Sequence, residues 1–291
     1  MPTILTMLRQ YLFLLYQMSR REIVGRYRGS MMGLLWSFAS ALVTPAVYTF
    51  VFSVVFRVRW QTGGDDNASF ALNLFAGVIA HSFLGECMTR SPGVIAENTG
   101  YVKKVVFPLW MIPVVVVLAA MFHMFISLLV LLVCSGLYQQ QLHAAVLLLP
   151  LVLAPFVLLV LGITWFFAAL GVYLRDLSQV LPVVSTMMLF LAPVLYPVEA
   201  LPESLRQHLY LNPLTYVIGE MRAIVLSGEM PHWVALSKFT VVALLVAAAG
   251  WKVFRRTQPG FADVLCCRDP GRGRGQALPH LRTGDGAVPD P

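Results

Sequence analysis

VVFPLWMIPVVVVLAAMFHMFISLLVLLVCSGLYQQQLHAAVLLLPLVLAPFVLLVLGITWFFAALGVYL, residues 105–174, holds no Asp, Glu, Lys or Arg in 70 positions. A helix needs about 20 apolar residues to cross the hydrocarbon core of a bilayer, so this run suffices for two crossings joined by a hairpin. The uncharged tip LYQQQLH, 137–143, supplies the turn. Other charge-free runs flank it: Ser30–Phe56, Asn67–Gly85, Leu177–Val198 and Phe239–Trp251. Charged residues make up 12% of the 291-residue chain, about half the ~25% of ordinary soluble domains. The pattern predicts an all-α integral membrane protein. Its six transmembrane helices fall at about 31–57, 70–88, 109–137, 144–173, 177–197 and 233–254.

A net charge of +7 could point to nucleic acid, but the bases do not cluster on a soluble domain. Their placement reads as topology, because loops on the cytoplasmic side carry an excess of Lys and Arg. Alternate loops assigned inward hold 16 bases, and the others hold 5. Both termini are therefore expected in the cytoplasm.

Residues 1–30 are expected to form a cytoplasmic interfacial helix and a basic hinge. Ile4, Leu5, Leu8, Tyr11, Leu12 and Leu15 share one helical face, while Arg9, Gln10 and Gln17 interrupt it. A cleaved signal peptide is a poor reading, since the apolar run continues through Phe56, past any cleavage point near Ala39–Ala41. In span 2, Glu86 and Arg90 stand at i and i+4, the spacing of an ion pair at a helix end. Pro108 suits the first position of span 3, and Pro150, Pro155 and Gly162 predict a kinked span 4. Asp176 and Gln179 form a capping-box pattern at the start of span 5.

Residues 199–232 are too short and too charged to cross. Asn212–Pro213 reads as a helix start, followed by Leu214, Val217, Ile218, Met221, Ile224 and Val225 at helical spacing, with Glu220 and Arg222 on other faces. A charge at mid-bilayer costs roughly 2.5–3.5 kcal/mol or more. Two short re-entrant helices, Pro202–Tyr210 and Pro213–Ser227, are expected on the periplasmic side between spans 5 and 6, with Asn212, Pro213, Glu220 and Arg222 as gate residues. Residues 31–256 form the transmembrane domain. Residues 257–291 form a cytoplasmic tail, rich in Gly, Pro and Arg beyond Cys266 and expected to be disordered.

No catalytic pattern stands out. The four cysteines show no metal-ligand spacing, no phosphate-binding GxxxxGK[ST] loop occurs, and the six histidines are isolated. His81 and His123 read as packed or hydrogen-bonded residues. Spans 3 and 4 hold no carboxylate, which disfavours an ion-coupled carrier. The chain is expected to be no enzyme and to bind no cofactor or metal of its own.

Six stretches share a resemblance: REIVGRYRGSMMGLLWSFASALVTPAVYTFVFSVVFRVRW (21–60), NTGYVKKVVFPLWMIP (98–113), GVYLRDLSQV (171–180), APVLYPVEALPESLRQHLYLNPLTYVIGEMR (192–222), SGEMPHW (227–233) and FRRTQPGFADVL (254–265). In this order they resemble ABC-2 permeases that export O-antigen and related polysaccharides. The tail from Cys266 departs from that pattern. The resemblance implies a homodimer in the bacterial inner membrane, with a lipid-linked polysaccharide as cargo. It also implies two copies of a separate ABC ATPase subunit, which would hold the Mg-ATP. Exporters of teichoic acid, capsule or a small hydrophobic drug are the alternative within this class. Arg26, Tyr27 and Arg28 would hold the interfacial helix to span 1 near lipid phosphates and the ATPase, though positive-inside anchoring accounts for the arginines as well.

Two further sets of residues are candidates. Glu97, Asn98, Tyr101, Lys103 and Lys104 lie on a short inward loop between two rigid spans, suited either to seating in a groove of the ATPase or to solvation alone. Tyr48, Phe52 and Phe56 recur every four residues along span 1. Their flat rings suit sliding sugar rings; a lipid-facing or packing stripe has the same spacing.

Overall fold

In a computed structural model, the described residues are 4–27, 35–51, 67–102, 107–140, 143–198, 202–209, 212–261 and 264–265. Among them the regular structure is entirely helical. Four helices are long and apolar enough to cross a membrane: Ala68–Arg90, Met111–Gln139, Ala144–Tyr173 and Trp233–Gly260. Two shorter apolar helices accompany them, Phe38–Thr49 and Leu177–Leu191.

In chain order the helices are α1 (Ile4–Tyr27), α2 (Leu35–Thr49), α3 (Asn67–Arg90), α4 (Val94–Glu97), α5 (Thr99–Val102) and α6 (Met111–Gln139). There follow α7 (Leu149–Tyr173), α8 (Leu177–Leu191), α9 (Glu203–Leu209), α10 (Pro213–Arg222) and α11 (Trp233–Thr257). The bundle is built around α3, which packs against α2, α6, α7, α8 and α10. Phe83 of α3 and Phe156 of α7 meet edge-on at 5.5 Å in the main core. The most extensive pairing joins α7 to α11. Small residues permit it: a Cβ added to Gly162 would lie 2.6 Å from the Ala247 Cα, and one on Gly250 would strike the Gly162 carbonyl.

Several expectations change. Gly162 lies at this close helix approach, and Pro155 stands inside α7. Pro150 lies in the first turn of α7, where its missing N–H leaves no bond unmade, and a 3-10 turn, Ala144–Leu148, precedes it. Pro108 stands before α6, its carbonyl accepting from the Met111 N–H at 3.0 Å. The capping box is absent. Asp176 already has helical dihedrals (φ −71°, ψ −16°), so its carboxylate is not placed to cap, and only its backbone carbonyl accepts from Gln179 N–H. The helix of the fifth apolar run stops at Leu191, and residues 192–196 follow as turns and bends.

On α1 the inward face is Leu15, Met18, Ser19, Glu22 and Ile23, while Leu12 is exposed and Tyr11 lies edge-on to Trp110 at 6.3 Å. The helix continues through Arg26 and Tyr27, where the hinge was expected.

A second, smaller core closes one end of the bundle. It gathers Val94 and Ile95 of α4, Leu109, Ile112, the end of α7, Phe254 of α11, and Phe261 and Leu265 beyond it. The turn before α4 lies so close to α7 that a Cβ on Gly171 would strike the Pro92 backbone.

Candidate functional site

The two ends of the bundle carry different polar structures. At the end that holds the second core, four charges link α1 to α3. Arg26 donates to Glu86 at 2.5 Å, Arg90 pairs with Glu22, and Arg90 lies 3.7 Å from the same Glu86 oxygen. The i, i+4 pair read from the sequence is present, as part of a four-membered chain. Each side chain remains partly exposed, so an individual pair contributes about 0–1 kcal/mol. Their joint effect is geometric: Arg26 ties α1 to α3, and it lines one cavity with Trp36 and Ser40 of the first apolar run.

Above this chain opens a cavity of about 380 Å³ between α2, α3 and α6. Its α3 wall runs from Phe75 to Glu86, about 16 Å along the axis at 1.5 Å per residue. Ser40 and Thr44 of α2, Ser82 of α3, and His123 and Ser127 of α6 place neutral polar groups on its walls. Trp36 and Phe83 add aromatic surface. The expected packing of lone histidines holds for His81, whose Nε2 lies 2.9 Å from the Ser185 carbonyl oxygen.

At the same end, Glu97 is exposed and ends α4, and its backbone N–H donates to the Gly93 carbonyl at 2.9 Å. Asn98 follows as the helix cap, its Nδ2 donating to the Val94 carbonyl at 2.9 Å. The loop is thus a pair of short helices, the first of which seats Val94 and Ile95 in the second core. Tyr101 lies in α5, and Lys103 and Lys104 are outside the described residues. Tyr27 is the last residue of α1, and Arg28 falls outside the description. Tyr48 is half-buried against the main core. Phe52 and Phe56 lie outside the described residues.

The opposite end is held by the segment before α11. Asn212 starts α10 as expected: its Oδ1 accepts from the Leu214 N–H at 3.0 Å, with Pro213 in the first turn. Leu214, Val217, Ile218, Met221, Ile224 and Val225 are all buried. Glu220 departs from expectation, being only 5% exposed. It is buried because its carboxylate accepts from the His232 backbone N–H at 3.3 Å and lies 3.0 Å from the His232 Nδ1. The neighbouring Tyr216 phenol is pushed up by burial and by the Glu220 carboxylate. Arg222 reaches across, its Nε donating to the Asn73 carbonyl at 2.9 Å and a terminal nitrogen to the Val194 carbonyl at 3.1 Å.

The α6–α7 hairpin tip joins this end. Gln139 donates to the Leu226 carbonyl at 2.8 Å, and Gly228 adopts φ 67° against the His143 ring. A Cβ at Gly228 would overlap that ring.

Sequence reasoning missed Glu22, Asn73 and His232 as partners. Their pairings span 12 to 149 residues and follow no local period. The hydroxyl stripe did have a local signal, because Ser40/Thr44 and His123/Ser127 each stand four apart within apolar runs.

This arrangement of apolar helices around a hydrophobic core, with polar links at either end, accompanies a direct family match. The family described as ABC-2 type transporter matches residues 14–226. The chain belongs to that family. This ABC-2 chain is also similar to an O-antigen export system permease protein RfbA from Myxococcus xanthus, 27% identical over 260 residues, covering 89% of this chain and 97% of the relative. A protein of the same description from Klebsiella pneumoniae is 27% identical over 258 residues, covering 88% and 96%. The ABC-2 match runs from within α1 through α10, and so includes the Glu22–Arg26–Glu86–Arg90 chain and both Glu220 and Arg222.

Proposed function

We propose that this chain is the permease subunit of an ABC transporter that exports a lipid-linked polysaccharide of O-antigen type across the bacterial inner membrane. The similarity to O-antigen export permeases along nearly their whole length carries the reading. Six spans and two cytoplasmic termini follow from the charge asymmetry of 16 bases to 5. In this topology α9 and α10 are re-entrant and rim the periplasmic end. The internal partners of Glu220 and Arg222 support that role, because charges held this way can sit in the outer leaflet without free solvation.

Export is driven by two copies of an ABC ATPase that hold Mg-ATP and work on a homodimer of this chain. The chain contributes no nucleotide chemistry. Its part is to receive a mechanical stroke and change the width of a passage. The α4–α5 loop suits that stroke: α4 seats in the second core, which also holds the ends of α7 and α11, so a push there is shared by several helices. Glu97, Asn98, Tyr101, Lys103 and Lys104 form the docking face, with Arg26, Tyr27 and Arg28 beside the membrane surface. Tyr48, Phe52 and Phe56 provide rings for the passing sugars.

Coexpression with a candidate ATPase tests the reading. The purified chain alone should hydrolyse no ATP, and the ATPase should copurify with it. Robust hydrolysis by the isolated chain would end the permease assignment.

A further inference from the structure

The last turns of α11 expose three bases, Lys252, Arg255 and Arg256. The helices α1, α6, α7 and α11 bring one carboxylate between them, Glu22, and Arg90 holds it. Asp263, the next acid along the chain, lies outside the described residues. Beside these bases three indoles meet. Trp251 of α11 lies 6.1 Å from Trp110, the residue before α6, and 5.0 Å from Trp165 of α7. The Trp165 Nε1 donates to the Trp110 carbonyl at 3.2 Å, and Tyr11 of α1 stands edge-on to Trp110. Arg255, one turn beyond Trp251, sets its guanidinium over that ring, 5.4 Å from the centroid. A guanidinium held over a ring is attracted through its charge and keeps N–H donors for an oxyanion.

The depth of this cluster in a bilayer follows from α11 itself. Trp233 and Trp251 stand 18 residues apart, about 27 Å of helix at 1.5 Å per residue, close to the ~30 Å of the hydrocarbon core. Indole rings settle at the two boundaries of a bilayer. Trp251 therefore lies at one boundary, and Arg255, one turn further, at the level of lipid phosphates. A zwitterionic headgroup would bring its own cation against Lys252 and Arg256, whereas an anionic one would not. We infer that Trp110, Trp165, Trp251 and Arg255 form a site for one anionic phospholipid of the phosphatidylglycerol kind. Arg255 takes the phosphate, Lys252 adds attraction, and the rings take the glycerol and upper acyl chains. The lipid links the end of α11 to Trp110, the ring that α1 meets through Tyr11. The inference uses the placement of α11 in the membrane and not the identity of the cargo.

The test uses the full chain in lipid nanodiscs, with Trp36, Trp60 and Trp233 changed to Phe so that tryptophan fluorescence comes from the cluster alone. Phosphatidylglycerol or phosphatidylcholine with brominated acyl chains is introduced at equal mole fraction into unbrominated phosphatidylcholine. Quenching then gives their relative association constants. At about fivefold per base near a membrane surface, Lys252 and Arg255 together should favour phosphatidylglycerol by about tenfold or more. Arg255→Gln should lower that preference about fivefold, while Arg256→Gln, an equal loss of charge, should lower it less than about twofold. Equal losses in the two variants would mean diffuse attraction to a basic surface and overturn the site, as would no preference in the parent chain. Relief of quenching by soluble glycerol phosphate would mean a free-anion site. Relief by a polyprenyl diphosphate at concentrations well below that of phosphatidylglycerol would mean a site for the carrier lipid of the cargo. Either result overturns the proposal. None of these outcomes bears on the export reading, which is judged separately by ATP-driven translocation.

Discussion

Changing Arg222 to Met removes the strongest polar tie between α10 and the rest of the bundle. The guanidinium donates to two carbonyls, Asn73 on α3 and Val194 after α8, at 2.9 and 3.1 Å. A hydrogen bond to a charged group contributes about 1.5–3 kcal/mol, and partial exposure favours the lower figure. Two such bonds give about 3 kcal/mol, against which methionine returns only some apolar packing. For a chain of this size that loss lowers Tm by about 6–9 °C, read by size-exclusion survival after heating in detergent. Arg222→Lys can satisfy one carbonyl at a time and should lose about half as much. Arg256→Met, at an exposed position in the last turn of α11, controls for charge alone. A Tm for Arg222→Met within about 2 °C of that control would refute the claim that this arginine locks the segment.

Three further outcomes follow from the same account. Reporter fusions at Gln140 and Glu203 should both read periplasmic and one at Ala262 cytoplasmic; a cytoplasmic signal at Glu203 would remove the six-span topology. Tyr101→Ala, with both lysines kept, should preserve insertion yet weaken ATPase copurification and export, since truncating an aromatic anchor often costs about 2 kcal/mol or more. Normal copurification would move the docking face, most directly toward Arg26–Arg28. A chain ending after Leu265 should insert and export normally, whereas one ending after Gly260 also loses the buried Phe261 and Leu265. At about 1.5–3 kcal/mol for each side chain, the shorter chain should be about 3 kcal/mol or more less stable; equal heat resistance of the two would contradict the role of the second core.

Helices were legible wherever local rules governed them. The apolar runs, the Asn212–Pro213 start and the buried stripe from Leu214 to Val225 needed only periodicity and capping chemistry. Long-range pairing was not legible. Glu22 with Arg90, and Arg222 with Asn73, come together only once α1 and α10 dock on α3. Burial of Glu220 was hidden for the same reason, because His232, which it meets, lies beyond the turn into α11. The capping box failed as Asp176 entered helical dihedrals one residue early. The close approach at Gly162 was not legible, because a sequence shows the missing side chain but not the helix that meets it.

The most direct test is reconstitution of the chain with its ATPase in inverted inner-membrane vesicles, following a radiolabelled lipid-linked polysaccharide into the lumen. The account predicts translocation that requires ATP, the ATPase and this chain together, and that stops when any one is withheld. Translocation that proceeds at the same rate without the chain, or none at all from a complex that binds and hydrolyses ATP normally, would contradict it.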